Sequence, residues 1–149
     1  MTMLAEDLCR KIKSDFRFFK YLDEAEKAVA GQYLECCEIA AGTVLWDEGD
    51  ASNSAAFVVE GKIEVKKETE FKGKHVIVGI YGEGSVVGEL CLFADCKRAV
   101  TATALTDAWL LKLSEERLEA LMEEHPRVGG KLLKGMFLAV ATRLRKSFE

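Results

Sequence analysis

Short runs in which apolar and polar positions alternate fill the middle of the chain, from about residue 35 to residue 113. In "KIEVKK", Ile63 and Val65 fall on one side and Lys62, Glu64 and Lys66 on the other, as in a strand with one buried face. The further runs, each closed by Gly, Asp or another turn signal, are "CEIAAG", "TVLWDEGD", "AAFVVEG", "HVIVGIYGEG", "AVTATAL" and "AWLLKLS". Many short strands with few helices between them predict an antiparallel sandwich, jelly roll or barrel.

Helical spacing replaces this alternation at the start of the chain. Leu4, Leu8, Ile12 and Phe16 recur at near-helical intervals and predict a first helix. The segment "SDFRFFKYLDEAEKAVAGQYL" then indicates a short aromatic turn and a second helix that has acidic residues in its first turn. We therefore expect N-terminal helices over residues 1–34.

Two helices are also predicted at the end of the chain. Ser114 is a suitable N-cap, and the helix that it begins should stop before Pro126, because proline disfavours a helical residue in front of it. A last helix is predicted from about Arg127 to Phe148, with an apolar stripe wider than one contact needs. The expected organisation is one domain, 1–149, with a β-roll at 35–113 and C-terminal helices at 114–149.

Composition and charge exclude several classes of protein. The 149 residues are 49% hydrophobic and 31% charged, as expected for one folded domain. The formal net charge of −4 argues against nucleic-acid binding, which normally needs a basic face. No apolar run approaches the roughly 20 residues that span a membrane, and the N-terminus does not resemble a secretory signal. We expect a cytoplasmic protein with neither nucleic acid nor membrane as partner.

The five cysteines do not form a recognisable framework. Their odd number and scattered positions argue against disulfides. The sequence has no Cys-x-x-Cys pair, the spacing that would indicate a zinc site. We expect reduced cysteines that serve in packing, and no metal site.

Enzymatic motifs are absent as well. The glycines Gly82, Gly84 and Gly88 have the wrong spacing for a dinucleotide loop, and no P-loop is present. His75 and His125 fall in a turn and at a helix end, where a surface role is more common than catalysis. We expect no catalytic residues and no enzyme.

One segment, "GELCLFADCKRAV" at 88–100, combines apolar residues with Glu89 and Arg98. "GELCLF" can form one helical turn, and a helix start near a guanidinium suits phosphate. Glu89 would repel phosphate but can accept hydrogen bonds from sugar hydroxyls, so the pair suits a ribose phosphate. The alternative is a structural ion pair between Glu89 and Arg98, and spacing alone leaves both open.

This segment resembles the phosphate-binding cassette of the cyclic nucleotide-binding domain family, in which Gly-Glu-Leu, a short helix and an Arg-Ala or Arg-Ser/Thr pair recur. The resemblance extends over nearly the whole chain, through "FRFFKYL", "AGTVLWDEGDASNSAAFVVEGKIEVKK" and "LEALMEEHPRVGGKLLKGMFLAVATRLR". It implies a mainly β fold with flanking α elements: a double-stranded β-helix, or jelly-roll barrel, with N-terminal helices and C-terminal hinge and lid helices.

The resemblance also implies roles for individual residues of the cassette. Glu89 matches the carboxylate that binds the ribose 2′-hydroxyl, and Arg98 matches the arginine that binds the cyclic phosphate. The positions whose backbone lines the ribose phosphate are Gly88, Leu90, Cys91 and Ala99. Ala99 stands where cGMP-selective members often have Thr, which favours cAMP, with cGMP as the other possible ligand. No cofactor is implied.

The chain departs from the family pattern at a few positions. Val87 stands where an aromatic residue is common, Val100 replaces a small Ala, and Ala55 and Ala56 replace larger residues. The two ionic positions are retained.

The function expected from these observations is a cAMP sensor that couples phosphate capture to movement of its last helix. Residues 113–126 would act as the hinge, and Leu133, Met136, Phe137 and Val140 would supply lid contacts. The alternative is a ligand-free interaction module that dimerises, or binds a separate effector, through the last helix. No helix-turn-helix, kinase or channel segment is recognised in these residues, so we expect either a stand-alone protein or a regulatory piece that works on a separate partner.

Overall fold

Antiparallel strands make up most of the computed structural model, which describes residues 17–94 and 96–148. The first predicted helix lies outside the described residues. The ten strands are β1 (Glu35–Ile39), β2 (Val44–Trp46), β3 (Ala51–Ser52), β4 (Ser54–Glu60), β5 (Ile63–Glu68), β6 (His75–Tyr81), β7 (Val86–Val87), β8 (Cys96–Lys97), β9 (Thr101–Ala104) and β10 (Ala108–Ser114). The prediction of a mainly β fold with flanking helices is confirmed.

The strands form two four-stranded sheets and one short ribbon. The strand orders are β1-β10-β4-β7 in the first sheet and β2-β9-β5-β6 in the second, and β3 pairs with β8 in the ribbon. All pairings are antiparallel, with Leu111 opposite Phe57 in the first sheet and Val65 opposite Ala102 in the second. Strands distant in sequence are therefore neighbours, as in jelly-roll folds.

Strand β4 has apolar residues at consecutive positions and not at every second position, and its place between two cores explains this pattern. Phe57 packs in a core shared with the helices, whereas Ala56 and Val58 pack in a second core between the sheets. Both faces of β4 are therefore buried, and burial on both faces favours apolar residues at every position. Strand β10 behaves in the same way, with Leu111 in the first core and Leu110 in the second.

The helices begin where the capping signals of the sequence indicate. Helix α1 (Glu24–Gly31) starts with a capping box in which Asp23 and Glu26 exchange side-chain and backbone hydrogen bonds. Helix α2 (Glu115–Glu124) starts at Ser114, whose hydroxyl accepts a hydrogen bond from the Arg117 N–H. A 3₁₀ turn (Arg17–Phe19) precedes α1, in agreement with the predicted aromatic turn.

Helix α3 (Pro126–Lys146) begins at the proline itself, because the first helical position does not need a backbone N–H. It packs on the aromatic turn so closely that a β-carbon on Gly135 would collide with the backbone of Phe18. Leu132 and Met136, in the first half of α3, are buried, whereas Phe137 and Leu144, in its second half, are exposed. Within residues 17–94 and 96–148, no helix has both the length and the apolar character needed to cross a bilayer.

Candidate ligand-binding site

A short 3₁₀ turn, Glu89–Leu92, stands between β7 and β8, and we call it the cassette turn. It agrees with the single helical turn predicted for "GELCLF". Gly88 precedes it with φ of 76°, a conformation that favours glycine. A β-carbon at this position would collide with Arg98 Nη1 and lie 3.0 Å from the Trp46 ring. The glycine therefore allows the arginine to lie against the start of the turn.

The six residues predicted to bind ligand line one cavity of about 240 Å³. They are Gly88, Glu89, Leu90, Cys91, Arg98 and Ala99. The remaining lining residues are Trp46, Val65, Val78, Tyr81, Val87, Cys96, Lys97, Val100 and Arg143. The cavity wall is mostly apolar with a few polar groups, as is common in small-molecule sites. The two departures from the family pattern at Val87 and Val100 are therefore part of the cavity wall.

Arg98 is a buried cation at this wall, with only 4% of its surface exposed. Its Nη2 donates to the hydroxyl of Ser52, to the backbone oxygen of Ser54 at 2.8 Å and to the Ser54 hydroxyl at 3.2 Å. The guanidinium carbon lies 3.6 Å from the centroid of the Trp46 ring, so the ring covers one face of the cation. Desolvation by burial lowers the pKa of Arg98, and the nearby negative charge of Asp50 opposes this shift.

Two nitrogen atoms of the same guanidinium have no hydrogen-bond partner among the described residues. Within the described part of the chain, Arg98 Nε and Nη1 are buried without a hydrogen bond, and so is Trp46 Nε1. A buried donor without a partner costs free energy. The site therefore holds unused hydrogen-bonding capacity of the kind that an anion satisfies.

The ion-pair partner of Glu89 is Arg143 and not Arg98. Arg143 on α3 donates from Nη2 to Glu89 Oε1 at 2.6 Å, and its guanidinium carbon lies 4.9 Å from the centroid of the Tyr81 ring. The direct Glu89–Arg98 ion pair, one of the two readings of the sequence, is not the arrangement found. Glu89 instead links the cassette turn to the last helix.

Trp46, Tyr81 and Arg143 are residues of the cavity that sequence reasoning did not identify. The sequence places Trp46 only in a strand and Arg143 only in the last predicted helix. Glu89 and Arg143 are 54 positions apart, and no local spacing connects them. Ser52, which holds Arg98, lies on the two-residue strand β3, too short for an alternating pattern to be visible.

The expected lid residues lie beside the cavity and not on its wall. Leu133, Met136, Phe137 and Val140 line a neighbouring apolar groove of about 430 Å³. Its other walls are Glu89, Leu90 and Phe93, so the cassette turn separates the two spaces. The residue of α3 that reaches the cavity is Arg143.

The expectation that the cysteines are reduced is wrong for two of them. A disulfide joins Cys91 in the cassette turn to Cys96 in β8, with 5.5 Å between the α-carbons. Cys36 and Cys37 are free. The fold brings the end of the turn back beside the start of β8, a proximity that cysteine counting could not reveal. Cys9 lies outside the described residues.

Comparison with known proteins agrees with this geometry. The family model for the cyclic nucleotide-binding domain matches residues 36–125, more than half of the chain. The chain belongs to the cyclic nucleotide-binding domain family.

Individual relatives show the range of proteins that contain such a domain. Lysophospholipase NTE1 of Phaeosphaeria nodorum is 31% identical over 112 residues, which are 75% of this chain and 7% of that protein. The crystal structure of the N-terminal domain of a transcriptional regulator from Streptomyces coelicolor A3(2) is 31% identical, with a TM-score of 0.70, over 88% of this chain and 90% of that one. The regulatory domain of Toxoplasma gondii PKA, crystallised with cAMP, is 26% identical over 77% of this chain and 43% of that one, with a TM-score of 0.64. The chain thus spans about 7% of the length of this lysophospholipase and of its counterparts in other fungi.

Proposed function

We propose that this protein binds a cyclic nucleotide, with cAMP preferred, in the cavity beside the cassette turn. The observation that carries the proposal is Arg98, which belongs to the cavity wall and whose guanidinium has two buried nitrogen atoms without hydrogen-bond partners among the described residues. The family supports a cyclic nucleotide as the ligand, and a relative crystallised with cAMP supports this particular one.

In this proposal Arg98 binds the cyclic phosphate. Its Nε and Nη1 donate to two phosphate oxygens, while Nη2 keeps its hydrogen bonds to Ser52 and Ser54. A planar guanidinium matches the spacing of two phosphate oxygens, and a charged hydrogen bond is about twice as strong as a neutral one. Ser52 and Ser54 orient the cation before the ligand arrives.

Glu89 would accept a hydrogen bond from the ribose 2′-hydroxyl. Its Oε1 already accepts one from Arg143, which also lines the cavity, so a ribose hydroxyl bound at this oxygen would take the place of the Arg143 side chain. A ligand that takes Glu89 weakens the attachment of α3, and this competition is the differential interaction that a ligand needs to shift a conformational equilibrium. We propose this exchange as the coupling between capture of the nucleotide and movement of the last helix.

Calorimetric titration with cAMP, cGMP and 5′-AMP tests the proposed function. We expect saturable binding of cAMP, weaker binding of cGMP and no binding of 5′-AMP, whose phosphate does not close a ring on the ribose. Tighter binding of cGMP would overturn only the selectivity argued from Ala99. Absence of binding by both cyclic nucleotides would contradict the proposed function.

Arg98→Lys is the variant that tests the phosphate contact, because it retains the charge and removes the planar fork of donors. We expect it to weaken cAMP binding by about 1.5–3 kcal/mol, the range for hydrogen bonds to a charged group. Arg117→Lys is the matched control, since Arg117 is exposed on α2 and does not line the cavity. Equal affinities of the two variants would show that Arg98 does not hold the phosphate.

The ligand-free interaction module remains the second candidate, and one observation favours it. Glu89 has a cation as partner, and Arg98 has two serines, so both ionic residues are bonded within the protein. In this function the exposed Phe137 and Leu144 of α3 would contact a second copy or an effector. A constant dimer mass, with no binding in the titrations above, would favour this module.

We also propose that the chain acts as a cytoplasmic regulatory domain and not as a catalyst. Curated relatives that match include lysophospholipases, but the matching segment is about 7% of such an enzyme. Assay of the isolated chain on a lysophospholipid tests this, and measurable hydrolysis would contradict it.

A further inference from the structure

The Cys91–Cys96 disulfide closes a small covalent ring inside the proposed nucleotide site. Cys91 lies in the cassette turn two positions after Glu89, and Cys96 lies in β8 two positions before Arg98. Both cysteines line the cavity. The bridge therefore ties together the two segments that carry the two ionic residues.

A short covalent ring restricts the relative movement of its two ends. The buried Leu92 packs the cassette turn into the core shared with the helices and not against β8. Strand β8 has two residues and pairs only with the equally short β3 within the described residues. A two-residue ribbon holds its position weakly. Arg98, which follows β8, is also held by backbone hydrogen bonds with Gly49 and Asp50. The disulfide therefore acts beside these bonds, as the direct covalent link between the turn that carries Glu89 and the strand that leads to Arg98.

We propose that this disulfide is a redox modification site that accepts electrons from dithiol reductants and sets the affinity of the cavity for its ligand. The statement about affinity rests on the proposed function. The statement about modification uses the proposed cytoplasmic location but does not depend on ligand binding, because it concerns the reaction of the disulfide itself. Disulfides in cytosolic proteins, where they occur, are usually transient and redox-sensing or catalytic.

The reaction is a two-electron exchange with a dithiol. A thiolate of the reductant attacks Cys96 Sγ, because Cys96 is partly exposed whereas Cys91 is buried. The Cys91–Cys96 bond breaks, Cys91 leaves as a thiolate that takes up a proton, and the reductant is held to Cys96 as a mixed disulfide. The second thiol of the reductant then displaces Cys96, which leaves two protein thiols and an oxidised reductant.

The free cysteines of the described residues, Cys36 and Cys37, are poor nucleophiles for thiol–disulfide exchange. Burial raises the pKa of the Cys36 thiol, and the adjacent Cys37 raises it further. Burial also raises the pKa of Cys37, opposed by the positive charge of Lys112. Less thiolate is present at neutral pH as a result, and thiolate is the reactive form. Cys36→Ser and Cys37→Ser are therefore suitable control variants.

Reduction should lower affinity, because the separated turn and strand must be ordered again when ligand binds. We expect the dissociation constant for cAMP to rise by about three- to tenfold, the range for ordering about one further side chain. Cys96→Ser should show the same increase without any reductant. Cys91→Ala is the second variant, and it removes the bridge from the buried side.

The first experiment measures the disulfide without any ligand. The full chain is incubated with dithiothreitol, its new thiols are alkylated, and the labelled positions are identified by mass spectrometry. We expect Cys91 and Cys96 to become labelled, and amide hydrogen exchange over 88–98 to increase with them. Resistance of the pair to the dithiol in the folded protein, or unchanged exchange after reduction, would overturn the modification site.

The second experiment titrates cAMP into oxidised protein, reduced protein, Cys96→Ser and Cys36→Ser. The expected result is weaker binding by the reduced protein and by Cys96→Ser, and unchanged binding by oxidised Cys36→Ser. Equal affinity of oxidised and reduced protein would overturn the control of affinity and leave the proposed function intact. Absence of binding in both redox states would overturn the proposed function and the control of affinity, and the first experiment still decides the modification site.

Discussion

At the scale of single residues, Gly88 shows how a backbone conformation and a side chain depend on each other. It has positive φ, and the space where a β-carbon would stand is occupied by Arg98. Any other residue would both strain the backbone and displace the guanidinium. The glycine is therefore needed for the position of Arg98 as well as for the turn.

Gly88→Ala should reduce both stability and ligand binding, and Gly84→Ala should reduce only stability. Both glycines have positive φ, of 76° and 84°, and an alanine there costs about 1–2 kcal/mol. A β-carbon on Gly84 meets no atom within 4 Å, whereas one on Gly88 collides with Arg98. Urea denaturation and cAMP titration of the two variants measure the difference. Equal effects on affinity would show that the contact with Arg98 is unimportant.

At the scale of elements, the end of α3 is attached to the cassette turn by one ion pair. Arg143 and Glu89 are each about one third exposed, at 32% and 29% of their side-chain surfaces. Solvent therefore weakens the pair, and a contribution of about 0.2–1 kcal/mol is expected. An ion pair of this strength contributes to holding α3 on the cassette turn, and a ligand that binds Glu89 can replace it.

Arg143→Met should increase affinity for cAMP, because the ribose hydroxyl no longer competes for Glu89. We expect the dissociation constant to fall by up to about fivefold, which corresponds to the free energy of an exposed ion pair. Lys146→Met, which removes one positive charge from the exposed end of the same helix, is the control for net charge. A loss of affinity in Arg143→Met would mean that Arg143 contacts the ligand instead of opposing it.

A second ion pair connects α1 to α3 and should make stability depend on pH. Lys131 donates to both carboxylate oxygens of Glu26, at 2.7 and 2.8 Å. The hydrogen bond from Lys131, followed by that from the Asp23 N–H, lowers the pKa of Glu26 below its ordinary value of 4.5. Because the folded-state pKa is the lower one, the stabilisation is complete above 4.5 and is lost as the pH falls through the folded-state value.

Lys131→Met should therefore destabilise the protein at neutral pH and less so in acid. Unfolding free energies from urea denaturation at about pH 7 and about pH 3 test this. We expect the difference between variant and parent to shrink at the lower pH, because protonation of Glu26 removes the charge that Lys131 stabilises. Lys72→Met, at an exposed turn, removes the same charge and should show no such convergence. A difference independent of pH would exclude Glu26 as the cause.

At the scale of the whole molecule, a ligand that binds only the folded state must stabilise all of it. At a free concentration 100 times the dissociation constant, cAMP should add about 2.7 kcal/mol to the free energy of unfolding. Urea denaturation with and without cAMP measures this, and Arg98→Lys should show a smaller increase at the same concentration. A stabilisation by 5′-AMP equal to that by cAMP would contradict recognition of the cyclic phosphate.

The sequence predicted the elements of this molecule better than the contacts between them. The alternation in "KIEVKK" and the capping residue Ser114 are local features, so β5 and the start of α2 could be read directly. The partners of Glu89 and Arg98 could not be predicted from the sequence, because only folding brings Arg143 and Ser52 to them. The Cys91–Cys96 pair was missed for the same reason, although both residues belong to the recognised cassette.

The tight contact of Gly135 with Phe18 has a mechanical consequence. It fixes α3 near its middle, while the half that ends at Lys146 has exposed Phe137 and Leu144. From Gly135 to Lys146 the helix is about 16 Å long, at 1.5 Å per residue. We expect α3 to behave as a lever with its fulcrum at Gly135. A tilt of about 10° would then move its tip by about 3 Å, so a small displacement at Glu89 becomes a larger one where a partner could detect it.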